Sequence, residues 1–313
     1  MQTATDARDN PADGLKKVRP ELNEHRRYFL MHPWALFWHP HEGAWNRNLV
    51  KALPRPLRRL PIWIDTLIRY AGIALRTPSG GVRHPKARLV LLDLGLHSSA
   101  AQSVQMIDWF GKDWRMLVLG FEAHPEFAEN ARAKIEAAAR DKPDVVTKVE
   151  NLALVGPDSD GGVVKLFLDG KKGLGNSLFQ EKGVDEVEVQ GARLSERISL
   201  HGVDPSKDII ILRMNIEGAE KFVIDDLVAA GLADQITGYY GMWNDLFKIS
   251  PDRDAEFRRM CAKNRINPFP FNDRDIKDSG KGNAVLRLRR KMIRLHLLRT
   301  IERQNAALVN EIP

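Results

Sequence analysis

The 313 residues include 43% hydrophobic and 28% charged residues, a composition typical of globular proteins that argues against a fibre or a wholly disordered chain. The single cysteine, Cys261, excludes a disulfide within the chain and disfavours a cysteine-built zinc site. The net charge of +7 permits an anionic partner but does not select one.

The amino-terminal part of the chain divides into two segments of different composition. We expect residues 1–20 to be a disordered polar leader, because they lack the apolar run of a secretory signal. Residues 21–88 are rich in His, Trp, Pro and Arg and predict a helical, aromatic-rich extension with one helix over 62–75. His39 and His41 would need further ligands to hold a metal, so we expect none. No apolar run reaches the length of a membrane span, and we expect a cytoplasmic protein.

From residue 89 onward, short apolar runs alternate with helical patterns. Strands that are apolar throughout and alternate with helices predict βαβ units and a mostly parallel sheet within one domain, residues 89–288. The predicted strands cover 89–94, 116–121, 145–155, 163–168, 209–214, 236–242 and 283–288. The predicted helices cover 100–110, 125–140, 219–230 and 252–263.

Residues 289–313 form a basic carboxy-terminal segment in which 289–305 predict an amphipathic helix. The helix could pack on the surface of the domain, or it could contact an anionic membrane surface or a protein partner. Its predicted apolar side consists of Met292, Ile293, Leu297, Leu298 and Ile301.

Candidate ligand groups follow the first two strands of this domain. Asp93 and Gly95 end the first strand, and His97 and Ser98 lie in the loop beyond it. Ligands of open α/β sheets bind beyond the carboxyl ends of the strands, near the point where the strand order reverses. Glu122 follows the second strand, where a carboxylate can hold both hydroxyls of a ribose. Because no G-x-G-x-x-G pattern provides a pyrophosphate cradle, the sequence disfavours NAD and favours a nucleoside ligand such as S-adenosylmethionine.

Four segments carry a resemblance to a known family: Leu92-Asp93-Leu94-Gly95, Phe121-Glu122-Ala123-His124-Pro125, Gly175-Asn176-Ser177-Leu178 and Ile216-Glu217-Gly218-Ala219-Glu220. In order and spacing they resemble the FkbM family of S-adenosylmethionine-dependent methyltransferases over about residues 89–245. The resemblance implies a class I methyltransferase (Rossmann-like) fold, with a mostly parallel seven-stranded sheet flanked by helices and an antiparallel last strand pair. It also implies O-methylation, commonly of a sugar or a related hydroxyl compound.

The same resemblance implies where S-adenosylmethionine would bind. Gly95 would lie against its methionine part, Glu122 would hold the ribose, and residues 151–153 would lie near the adenine. The predicted cofactor-binding residues are Asp93, Gly95, His97, Ser98, Glu122, Ala123, Asn151, Leu152 and Ala153.

Methyl transfer to an alcohol needs a group that accepts the hydroxyl proton. Glu217 is the first candidate base, because it lies just beyond a predicted strand in the segment that the family places beside the transferable methyl. Its other interpretation is a cap on the following helix. His97 is the second candidate, although it could line the methionine pocket without titrating. Asn215 stands where the family usually has an Asp, and its amide can position a hydroxyl but cannot act as a base at neutral pH.

The acceptor would be a small molecule or a glycan. Asn176 and Ser177 match a family loop that reaches toward the active site. Trp243 and Asn244, which follow a predicted strand at its ligand side, are further substrate-binding candidates, with core packing as an equal explanation for the indole. The alternative function is a catalytically altered scaffold of the same fold at a membrane surface. We expect no nucleic-acid partner, because the sequence shows no RNA-binding module.

Overall fold

The computed structural model describes residues 87–169, 176–179, 185–241, 243, 245–269, 271, 273–276 and 284–310. These residues fall within one compact unit, Ile73–Pro313. A second unit, Met1–Gly72, lies outside the described residues, as do the predicted leader, the helix over 62–75 and nearly all of the predicted extension.

The described part of the chain alternates strands with helices. Its strands are β1 (Arg88–Leu94), β2 (Met116–Phe121), β3 (Val145–Glu150), β4 (Ala153–Leu154), β5 (Val163–Leu168), β6 (Asp185–Ala192), β7 (Asp208–Met214) and β8 (Gly238–Gly241). Its helices are α1 (Ala101–Phe110), α2 (Pro125–Ala139), α3 (Leu194–Leu200), α4 (Glu220–Ala229), α5 (Asp245–Ile249), α6 (Pro251–Lys263), α7 (Asp273–Ile276) and α8 (Ala284–Asn310).

The main sheet has five parallel strands in the order β3-β2-β1-β7-β8. β2 and β7 are buried along their whole length and β1 along all but its first residue, which agrees with their uninterrupted apolar sequences. This confirms the α/β class and a parallel sheet flanked by helices, an arrangement compatible with a Rossmann-like fold. The strand order reverses at β1, because the chain continues from β1 to β2 and β3 on one side and places β7 on the other.

A smaller sheet, in the order β4-β6-β5, holds the antiparallel pairing of the described residues, between β5 and β6. The single strand predicted over 145–155 is divided into β3 and β4, which belong to different sheets. The division occurs at Asn151, whose side-chain amide donates hydrogen bonds to the carbonyls of Glu122 and Ala123. This contact turns the chain away from the main sheet.

The prediction of a strand over 283–288 is wrong, because residues 284–288 are helical and form the beginning of α8. Ala, Leu and Arg in this stretch are good helix formers, and they continue directly into the helix predicted from residue 289. This segment therefore adds no strand, and the main sheet of the described residues has five strands where the resemblance implies seven. The predicted boundary between residues 288 and 289 falls inside α8.

α8 packs on the domain through a row of apolar residues spaced four apart. Ile293, Leu297 and Ile301 are fully buried, whereas Met292 and Leu298 remain half-buried beside them. The ring of His296 stacks on Phe269 at 4.1 Å between centroids. Among the described residues, no helix combines the length and the apolarity that a membrane crossing requires.

Candidate functional site

The carboxyl ends of β1 and β7 meet at the point where the strand order reverses. The N–H of Asn215 donates to the carbonyl of Leu94 at 3.1 Å. Gly95 has a φ of +80°, and a Cβ on it would lie 2.2 Å from the carbonyl oxygen of Asn215. The close approach of the two strand ends therefore requires glycine at this position. The contact with β7 is enough to explain Gly95 without a ligand.

A buried polar network lies beneath this junction. Asp93 is fully buried, and its carboxylate accepts a hydrogen bond from Ser103 Oγ at 2.6 Å and one from Arg213 Nη1 at 3.0 Å. The same Arg213 nitrogen donates to the carbonyl of Gly95 at 2.8 Å. Asp93 therefore binds Arg213, and Arg213 in turn binds the carbonyl of Gly95 at the start of the loop. The Asp93 side chain, which the sequence predicted to bind the cofactor, is not exposed to solvent.

Glu122 joins the end of β2 to the loop after β1. Its Oε2 accepts the N–H of His97 at 2.7 Å, and its Oε1 accepts the N–H of His124 at 3.0 Å. The side chain is nearly buried, and this burial raises the pKa of the carboxyl, opposed by the two backbone hydrogen bonds. An ionised carboxylate offers about four acceptor positions. The two backbone amides therefore use two of these positions.

The two histidines whose backbone N–H groups bind Glu122 share one aromatic neighbour, Phe127. The ring of Phe127 stacks on His124 at 4.2 Å and meets His97 at 4.9 Å between centroids. His97 has a positive φ of 52°, and its Nδ1 lies 3.4 Å from Ser98 Oγ. His124 Nδ1 is buried and has no hydrogen-bond partner among the described residues. This orphaned nitrogen next to Glu122 is a further polar group that a ligand hydroxyl could satisfy.

The segment predicted near the adenine lies against the same loop. Besides the two bonds of the Asn151 amide, the N–H of Leu152 donates to the carbonyl of Glu122 at 3.2 Å. Ala153 is buried in β4, and Ala123 packs beside it. The structure therefore brings Asn151 and Leu152 into contact with the backbone of Glu122, and their proximity to an adenine stays a prediction.

A second carboxylate cluster follows β7. Glu217 lies in the turn before α4 with a φ of +54°. Glu220, at the start of α4, is buried and accepts the N–H groups of Ile216 at 3.0 Å and Gly218 at 2.9 Å. The group that satisfies backbone amides at this helix start is thus Glu220, a residue that the sequence analysis did not single out. Its position three residues after Glu217 at a helix start is the signal that could have found it.

Three of the four predicted acceptor-site residues lie among the described residues. Ser177 is buried and donates its hydroxyl to the carbonyl of Glu217 at 2.7 Å, so the structure brings these two residues together. Asn176 accepts the N–H of Asp169 at 3.3 Å. Trp243 is a core residue, 5% exposed, whose indole donates to the carbonyl of Tyr240 at 3.1 Å, so packing explains it. Asn244 lies outside the described residues.

Taken together, the carboxyl edge of the main sheet presents two carboxylates of different character. Glu122 is held by backbone amides between β1 and β2, and Glu217 is half-buried beyond β7, with Asn215 between β7 and this turn. In the described part of the chain, no group of three or more His, Cys, Asp or Glu residues is arranged to hold a metal ion.

Comparisons of the chain with family models, with curated proteins and with solved structures found no significant match.

Proposed function

We propose that the chain is an S-adenosylmethionine-dependent O-methyltransferase that acts on a hydroxyl group, in an acceptor of the saccharide or glycan type. The observation that carries the proposal is the placement of Glu122, a nearly buried carboxylate beside the loop after Gly95, where the strand order reverses. Open α/β sheets bind nucleotide ligands beyond the carboxyl ends of their strands, near the point where the strand order reverses.

The residues around Glu122 fit a ribose. The carboxylate has two acceptor positions beyond those that the amides of His97 and His124 occupy, and the buried His124 Nδ1 has no partner among the described residues. Two adjacent hydroxyls can satisfy such a set. Phe127 and the two histidine rings add an apolar wall.

Bound S-adenosylmethionine would supply the electrophilic methyl group. The work left to the chain is alignment and proton transfer. Asn215 would orient the acceptor hydroxyl through its amide, and Glu217 would accept the proton, a contribution of about 10²–10⁴ in rate. His97 would line the pocket, since its backbone N–H already binds Glu122.

Calorimetry with S-adenosylmethionine tests the proposed cofactor site. Glu122→Gln is expected to weaken cofactor binding at least tenfold, because an amide accepts fewer hydrogen bonds than a carboxylate. The matched control is Glu150→Gln, at the end of β3, where Glu150 pairs with Arg197 and His201 and does not contact the loop after β1. Absence of binding to the wild-type chain, or equal affinity of a folded Glu122→Gln variant, would overturn the cofactor assignment.

The acceptor class has its own test. A cell extract is incubated with the purified chain and methyl-labelled S-adenosylmethionine, and the products are identified by mass spectrometry. The expected product is a saccharide that carries one labelled O-methyl group. Label that enters only nucleic acid or protein would contradict this acceptor class.

A membrane-surface scaffold is the second candidate function, and the charge of α8 favours it. Arg287, Lys291 and Arg294 are exposed on this helix, while its apolar row faces the domain. Binding would therefore rest on charge and leave the bilayer core unentered. Sedimentation with vesicles that contain phosphatidylserine is expected to show salt-sensitive binding that the triple change of these residues to Gln removes. Equal sedimentation of the triple variant would exclude this role for α8.

A further inference from the structure

Glu217 adopts a backbone conformation that its residue type avoids. Its φ is +54°, and the following Gly218 has a φ of +103°. A residue with a Cβ reaches the left-handed region only at an energetic cost, and it stays there when its surroundings hold it. Contacts with neighbouring residues must therefore fix the turn at Glu217.

Hydrogen bonds hold the peptide groups on both sides of Glu217. Glu220 accepts the N–H of Ile216 at 3.0 Å through Oε1 and the N–H of Gly218 at 2.9 Å through Oε2. Ser177 Oγ donates to the carbonyl of Glu217 at 2.7 Å. The buried carboxylate of Glu220 thus binds the N–H groups of the residues before and after Glu217. The buried hydroxyl of Ser177 binds the carbonyl of Glu217 itself.

The contacts of Glu220 differ from those of an ordinary helix cap. Capping side chains satisfy N–H groups in the first turn of their own helix or at the residue that precedes it. Glu220 lies at the first position of α4, and its bonds run backward into the turn at Ile216 and Gly218. Its carboxylate therefore determines the shape of the turn that carries Glu217.

Neither Ser177 nor Glu220 is open to a ligand. Each side chain belongs to a residue that is 1% exposed, whereas Glu217 between them is half-buried. Gly218 is equally enclosed, since a Cβ on it would lie 2.5 Å from Ile249 Cδ1. Any effect of the two buried groups on chemistry must pass through the backbone of Glu217.

We infer that Ser177 and Glu220 are positioning residues that hold Glu217 in its left-handed conformation, so that its carboxylate meets the acceptor hydroxyl. This inference rests on the proposed methyl transfer. It gives Ser177 a role different from direct acceptor binding, and it gives Glu220 a role that the family resemblance does not supply.

Label transfer and cofactor affinity together test the inference. Ser177→Ala and Glu220→Gln are assayed with methyl-labelled S-adenosylmethionine and the saccharide fraction of a cell extract. We expect the saturated rate of label transfer to fall at least tenfold in each variant, with the cofactor dissociation constant within twofold of the wild type. Ser177→Thr, which retains the hydroxyl, should recover most of the rate.

Ser195→Ala is the matched control, because Ser195 Oγ donates to Asp226 at 2.8 Å in the adjoining α3–α4 contact, away from Glu217. Its label transfer should equal that of the wild type. Amide hydrogen exchange gives a second measurement: the N–H groups of Ile216 and Gly218 should exchange faster in Glu220→Gln.

The two proposals fail in different ways. A wild-type chain that binds no S-adenosylmethionine, or transfers no label, contradicts the proposed function whatever the variants do. A wild-type chain that transfers label, with Ser177→Ala and Glu220→Gln at the same rate, contradicts only the positioning roles. The same holds if both variants lose cofactor affinity in parallel with rate, or if Ser177→Thr is as slow as Ser177→Ala.

Discussion

Arg213 is a buried residue of β7 that binds both β1 and the loop after it. It is 4% exposed, lies directly across from Asp93 in the register of β1 and β7, and donates to both Asp93 and the carbonyl of Gly95. A buried carboxylate requires a cation or several donors, because an unpaired charge in the protein interior is very unfavourable. The pair therefore fixes the register of the two strands whose ends carry the candidate site.

Replacement of Arg213 should therefore lower the free energy of unfolding. Arg213→Met leaves the buried Asp93 carboxylate without its cation, and we expect the free energy of unfolding in urea to fall by about 3–5 kcal/mol. Lys165→Met is the control, since Lys165 and Glu186 form an exposed ion pair, and it should cost less than about 1 kcal/mol. Equal losses for the two variants would show that the Asp93–Arg213 pair contributes no more than a surface pair.

Glu220 gives the stability of the chain a specific pH dependence. Burial, with like-charge repulsion from Asp245 and Glu217, raises the pKa of Glu220 from 4.5 to about 7. The folded chain therefore binds this proton more tightly than the unfolded chain does. The resulting stability is fully present below about pH 4.5 and is lost as the pH rises through about 7, a change of about 3 kcal/mol.

Glu220→Gln should remove this dependence. Urea unfolding of the wild type at several pH values between 4.5 and 7 should show a free energy that decreases as the pH rises, and the variant should show a flatter profile. Glu186→Gln, at an exposed position, should keep the wild-type profile. A Glu220→Gln profile parallel to that of the wild type would show that the carboxyl titrates normally in the folded chain.

At the scale of elements, α8 is part of the domain and not an appendage. Its row of Ile293, Leu297 and Ile301 is fully buried, and Asn305 accepts the N–H of Ala87, next to β1, at 2.8 Å. Tyr240 of β8 meets the ring of His296 at 5.9 Å. Because α8 contacts both Tyr240 of β8 and Ala87, the residue before β1, its docking should contribute to the stability of the whole sheet.

Leu297→Ala tests this coupling. The loss of a fully buried leucine should lower the free energy of unfolding by about 2–5 kcal/mol, because it removes burial and leaves a cavity. Leu288→Ala, on the same helix but 37% exposed, should cost less than about 1 kcal/mol. The two variants can be compared by urea unfolding followed by circular dichroism. A Leu297→Ala variant with wild-type stability would mean that α8 unfolds independently.

Two errors in predicting elements, the missed strand β6 and the undivided strand over 145–155, have different causes. β6 contains Asp185, Glu186 and Glu188, so its apolar residues alternate with charges and form no continuous apolar run. The break between β3 and β4 depends on hydrogen bonds from Asn151 to a loop about 28 residues earlier. The alternation in β6 is a local pattern typical of a strand exposed on one face, so β6 could have been predicted. The break at Asn151 depends on a contact elsewhere in the chain, so the pattern of its own segment does not show it.

At the scale of the whole molecule, the parallel sheet places the candidate site residues that follow its strands at one edge. The strands run parallel in the order β3-β2-β1-β7, so their carboxyl ends lie side by side at one edge of the sheet. Residues distant in sequence, such as Glu122 and His97, then form direct contacts. A ligand that binds across this edge would cross-link several elements at once.

Thermal unfolding should report this cross-linking. S-adenosylmethionine at a free concentration of 100 times its dissociation constant should stabilise the wild-type chain by about 2.7 kcal/mol, which raises the midpoint by several degrees. Glu122→Gln, with at least tenfold weaker binding, should be stabilised by at most about 1.4 kcal/mol at the same concentration, which is about half of the wild-type effect. Adenine alone should give a smaller shift than the full cofactor. No shift in the wild-type chain would contradict a nucleoside site at this edge.

The sequence by itself determined the α/β class, the buried strands β1, β2 and β7, and the loop and strand ends that hold Gly95, Glu122 and Glu217. These features depend on local hydrophobic runs and on turn residues, whose preferences act over a few positions. The tertiary structure decided that Asp93 pairs with Arg213, that Trp243 is a core residue, and that Ser177 and Glu220 hold the turn at Glu217. Asp93 and Arg213, like Ser177 and Glu217, are distant in sequence and meet only when the strands and loops have packed, so no local pattern encodes their contacts. The contacts of Glu220 with Ile216 and Gly218 are local, but its burial depends on the packed fold.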